Sequence, residues 1–107
     1  MRAGLAAIAE HRASEQRAEP RRALERLDRA LERNPDDVPA LHATIYLLRR
    51  LERPTEALAP ATHLVELTGD AKAYEMLAMC RRDLGRHDEA LALLATAAAQ
   101  PGNPATA

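Results

Sequence analysis

Apolar residues return along this chain three and four positions apart, and the pattern is interrupted only by short polar stretches rich in Pro, Gly, Asn and Asp. That spacing is the period of an amphipathic helix. Leu5, Ile8, Ala9 and Ala13 share one side of a first helix, expected over 3–18. Ala23, Leu24, Leu27, Ala30 and Leu31 form the stripe of a second, which Pro20 can open because the first turn needs no amide there. Asn34-Pro35-Asp36-Asp37 ends it, and Asp37 can cap a third helix over 38–51. A fourth is expected over 55–67, kinked or delayed towards Ala59 by Pro60, a fifth from Asp70 or Ala71 to Gly85, and a sixth over 88–100. In the sixth, Ala90, Leu91, Leu94, Ala97 and Ala98 fall on one broad face, and Asp88 or its neighbour receives the opening amides. Strand signals are nearly absent.

The turns recur at a fixed interval. Gly85-Arg86-His87-Asp88-Glu89-Ala90-Leu91 has counterparts in Pro54-Thr55-Glu56-Ala57-Leu58 and in Pro20-Arg21-Arg22-Ala23-Leu24. Pro20 to Pro54 and Ala23 to Ala57 are 34 residues apart, and Ala57 to Ala90 is 33. The shorter Thr68-Gly69-Asp70 turn absorbs the difference. Two helices per unit at this period is a solenoid signature.

On these residues the chain resembles the tetratricopeptide repeat family. Tyr74, Leu77 and Ala78 match the first helix of its motif, and Gly85, Asp88, Glu89, Ala90, Leu94 and Ala97 the turn and second helix. Leu41, Ala57 and Leu64 match in the preceding unit, and Ala23, Leu27, Ala30 and Pro35 in the one before. Leu27, Ala61 and Leu94 stand where the family usually has a large aromatic, Gly69 where it usually has Pro, and Glu10 and His11 near sites for a leucine and a small residue. The resemblance implies an all-α fold, an α-solenoid of three antiparallel helical hairpins in a right-handed superhelix. One domain over 1–104 is expected, in units 3–37, 38–70 and 71–104, with 105–107 as a frayed tail.

Composition narrows the chemistry. With 107 residues, 47% of them hydrophobic and only Tyr46 and Tyr74 aromatic, the core must be built from Ala and Leu, which favours closely stacked helices. A net charge of −1 points to neither nucleic acid nor an anionic membrane. Arg12, Arg17, Arg21, Arg22, Arg26, Arg29 and Arg33 are interleaved with Glu10, Glu15, Glu19, Glu25, Asp28 and Glu32, the pattern of a solvated helix surface. No stretch is apolar for long enough to span a bilayer, and Leu5-Ala6-Ala7-Ile8-Ala9 is too short for a secretory leader, so a cytoplasmic protein is expected. The Arg and Ala bias fits a GC-rich, bacterial coding genome.

Catalysis finds no constellation. His11, His42, His63 and His87 have no metal-binding context, Ser14 is the only serine, and four dispersed glycines make no phosphate loop. Cys80, within Leu77-Ala78-Met79-Cys80, reads as a buried thiol. Neither enzyme activity nor a cofactor nor a metal is expected, which leaves the surface.

In the family the first helix of each pair lines a concave groove that binds peptides or helices. Carried onto this chain, the groove residues are Arg12, then His42, Tyr46 and Arg49, then Lys72, Glu75, Met79 and Arg82. The last two sets keep helical spacing, and the face is basic with Tyr46 and Met79 as apolar anchors, suited to an acidic segment bearing hydrophobic residues. Of the family's carboxylate clamp for a chaperone tail only Lys72 is matched, with Ile8, Ala43 and Met76 at other clamp sites, so that ligand is not expected. The last helix is apolar almost all round and has no successor, which makes Leu91, Leu94, Ala95 and Ala98 candidates for self-association. The expected function is a non-catalytic protein interaction module; a self-associating structural unit, or a helper module of a larger enzyme or secretion assembly, are the alternatives.

Overall fold

The computed structural model describes the backbone of residues 2–101 and the side chains of residues 18–101. Five helices follow one another: α1 (Arg2–Arg33), α2 (Val38–Arg50), α3 (Pro54–Thr68), α4 (Ala71–Asp83) and α5 (His87–Ala98), with no strand among the described residues. Each packs on the next, and α4 also meets α2, so α2–α3 and α4–α5 form two stacked hairpins beside α1.

The helix starts and stops follow local chemistry. Asp37 and Asp70 accept from the amides of Ala40 and Ala73 at 3.1 and 2.9 Å, so α2 and α4 open on equivalent side-chain caps. Their ends are equivalent too. The Arg53 amide donates to Leu48 O at 2.8 Å and the Arg86 amide to Arg81 O at 2.9 Å, closing the same six-residue turn. Gly85 supplies the left-handed residue in one turn (φ 78°), as expected, and Glu52 does so in the other (φ 58°). Only the second position carries a side chain that disfavours that conformation.

Ile45, Ala57, Ala61, Leu64, Ala73 and Cys80 are fully buried between the two hairpins, and Leu24 of α1 joins them from the other side. The small side chains at Ala57, Ala61 and Ala73 let the helices approach closely, as the composition requires.

Beyond shifts of one or two residues at the ends of α2, α3 and α4, three features differ from the sequence reading. The expected break before Pro20 is absent, and helices expected at 3–18 and from Pro20 are one continuous 32-residue helix with Pro20 inside it. The first unit is therefore not a hairpin. Leu48 and Leu51 flank the turn between α2 and α3 and pack in the core, and one 34-residue period earlier those positions hold Ser14 and Arg17. A reversal there would bury no apolar surface, which leaves nothing to offset the cost of ordering the turn. Pro60 likewise lies inside α3, which runs unbroken from Pro54 with no delayed start. Finally, α5 begins at His87, one residue before the expected position, with Arg86 as an N-cap that makes no side-chain bond; Asp88 and Glu89 lie in its first turn and act on the helix dipole, not as caps.

Candidate interaction surface

α2 and α4, the first helices of the two hairpins, meet each other directly. Their side chains interlock one repeat apart. His42 Nδ1 lies 2.7 Å from Met76 Sδ, and Arg49 Nε donates to Asp83 Oδ2 at 2.6 Å while its Nη2 reaches Oδ1 at 3.4 Å. Arg49 Nη1 also approaches Met79 Sδ at 3.3 Å. The His42–Met76 and Arg49–Asp83 pairs are each separated by 34 residues. The hydrogen bond to Asp83 raises the Arg49 pKa further, so this guanidinium is a fixed charge holding α2 to α4.

Of the residues expected to line a groove, His42 and Arg49 are therefore committed inside the chain. Tyr46 and Met79 remain 53% and 38% exposed, Lys72 and Arg82 are exposed, and Glu75 is half-buried. Arg12 lies outside the residues with described side chains. Tyr46 lies one turn before Arg49, and the Arg50 guanidinium carbon sits 5.7 Å from the centre of its ring. Sequence reading did not identify Asp83 or Arg50. Asp83 could have been found, because residues separated by one period become neighbours in a stacked repeat and Arg49 faces an acid at that distance.

On α5 the expected apolar face is split. Ala90 and Ala97 are buried, and Leu93, not Leu91 or Leu94, packs against the core. Leu91 and Leu94 are 64% and 43% exposed, Ala95 is exposed, and Ala98 is half-buried. The residues considered for self-association thus lie on or beside the outer side of the last helix.

Cys80 is inaccessible, and burial pushes its thiol up to about 11, opposed by the nearby Arg49 charge. A buried neutral thiol is a packing residue. Among the described residues there is no group of three or more potential metal ligands, and no helix is long and apolar enough to cross a membrane.

Antiparallel helix pairs stacked in register, with equivalent caps and equivalent turns, define a helical repeat scaffold. A tetratricopeptide repeat model matches residues 11–69 and 63–104. The chain belongs to the tetratricopeptide repeat family. Neither the curated proteins nor the solved structures give a match. Proteins of this family generally mediate protein–protein interactions.

Proposed function

We propose that this protein is a non-catalytic interaction module whose α2–α4 face receives a peptide or helix from a protein partner. The observation that carries this reading is the exposed pair Tyr46 and Met79 beside the Arg49–Asp83 clasp, flanked by Lys72 and Arg82. Large apolar side chains held open on a rigid helix face are anchors for a partner's side chains, and the flanking cations favour an acidic segment. Because the clasp fixes both helices, little ordering entropy is lost on binding.

The test is fluorescence polarisation of acidic peptides carrying one or two hydrophobic residues, against the wild-type chain and a Tyr46→Ala/Arg82→Glu variant. Binding that the variant retains in full would refute the groove.

Self-association through α5 is a second reading, supported by the exposure of Leu91 and Leu94. Light scattering over a concentration series tests it. A dimer that Leu94→Arg dissociates supports it, and a dimer untouched by that change rules it out.

A further inference from the structure

The residues of α1 that correspond to the buried stripe of α3 are less covered than that stripe. Ala57, Ala61 and Leu64 of α3 are fully buried between α2 and α4. Their counterparts 34 residues earlier, Ala23, Leu27 and Ala30, are only half-buried. Leu24 and Leu31, which face α2, do join the core, and Leu27 does not. The same side of α2 is open as well. Met76, Met79 and Asp83 of α4 meet α2, and their counterparts by cap and turn register, Ala43, Tyr46 and Arg50, have no first helix of a preceding unit against them. Ala23 and Arg50, one from each run, border a groove of about 520 Å³ that Glu19, Pro20, Arg26 and Leu47 also line. In a complete first unit this is the seat that the first helix would take, as α2 does beside α3.

The chain's own first half cannot fill that seat while α1 is continuous, because the backbone carries it away from the groove. The first half of a second α1 can. We propose that two copies pair through α1 in antiparallel fashion, so that the first half of each helix lies in the groove beside the second half of the other. Two 32-residue helices overlapping fully in this way place a two-fold axis beside Arg17 and Ala18. Leu5 then comes opposite Ala30, and Ile8 opposite Leu27. The sequence spacing of Leu5, Ile8, Ala9 and Ala13 supplies the apolar stripe. The polar Ser14-Glu15-Gln16-Arg17 stretch falls at the centre, where the two helices cross without a hairpin turn to bury.

The arrangement exchanges an element that each chain would otherwise fold back on itself, and because the contact is isologous it closes at two copies. Pro20 marks the joint, since it has no amide to give the Gln16 carbonyl. The surface is separate from the outer side of α5 but adjoins the α2–α4 face at Tyr46 and Arg50, and its readout, the oligomeric state, is independent of peptide binding.

Sedimentation of the full chain at tens of micromolar tests it. A dimer is expected, and Leu27→Arg is expected to raise its dissociation constant about tenfold or more by setting a charge against the partner helix. Leu94→Arg is expected to leave it unchanged. A strictly monomeric wild-type chain overturns the proposal, as does a dimer that Leu94→Arg dissociates and Leu27→Arg does not. A second measurement is independent of how well Leu27→Arg folds. In an Ile8→Cys/Leu27→Cys variant, with Cys80 left buried, mild oxidation is expected to give a disulfide-linked dimer, and failure to form one overturns the register.

Discussion

Helices α3 and α5 occupy the same place in successive hairpins, and their differences come from what lies beyond them. Ala57 and Ala90 are both buried, as are Leu64 and Ala97, because each pair faces the first helix of its own hairpin. Ala61 is fully buried and Leu94, its counterpart, is 43% exposed, because α4 covers α3 and nothing follows α5 among the described residues. Burial in this stack is thus set by neighbours, one side at a time. A residue's place in the repeat says which neighbour it needs.

The contrast can be broken by truncating each side in turn. Leu64→Ala in α3 is expected to lower the free energy of unfolding by about 2–5 kcal/mol, since the site is closed on both sides and leaves a cavity. Leu94→Ala in α5 is expected to cost less than about 1 kcal/mol in the monomer. Urea melts of the two variants check this, and equal losses would contradict the one-sided burial of α5.

The polar interior offers a smaller effect of opposite sign. Thr44, in α2, is buried with no hydrogen-bond partner for its hydroxyl, in a pocket that Leu24, Leu31 and Leu48 line together with Asp28, Arg53 and Glu56. Thr44→Val is expected to stabilise by about 1 kcal/mol, because the hydroxyl's desolvation is no longer unmatched. A thermal melt showing loss of stability would mean that the hydroxyl does find a partner in solution.

The two equivalent turns make a similar comparison. Glu52→Gly should stabilise the chain by about 0.5–1 kcal/mol by relieving the left-handed residue, while Gly85→Ala should cost about as much. Calorimetry resolves both, and a shared sign would contradict the equivalence.

A further effect is on pH. The folded thiol of Cys80 titrates near 11, above its ordinary value, so the neutral form favours folding. That contribution is fully present below the ordinary thiol range and is lost as pH rises through it towards 11. Melts at rising pH should show Cys80→Ala losing less stability across that window than the wild-type chain.

Much of the fold was legible because repeat phase and capping chemistry are local. Asp37 and Asp70 announce their helices, and Gly85 its turn. Pro20 and Pro54 look alike in sequence, yet one lies within a helix and the other begins one. The choice between them is made by tertiary burial of Leu48 and Leu51, and no turn residue encodes it; Glu52 shows that a turn forms even with an unfavourable residue when the packing repays it. On the surface, sequence spacing placed His42, Tyr46 and Arg49 on one side of α2. It did not reveal that His42 and Arg49 are spoken for by Met76 and Asp83, because that follows only once the repeats are stacked.

The central claim is that Tyr46, Met79 and their cationic neighbours form a binding face. Peptide titration under increasing salt probes it most directly. The account predicts saturable binding of an acidic, hydrophobic-bearing peptide that weakens with salt and falls at least about tenfold in Tyr46→Ala/Arg82→Glu. Binding of equal strength to wild type and variant, insensitive to salt, would contradict it.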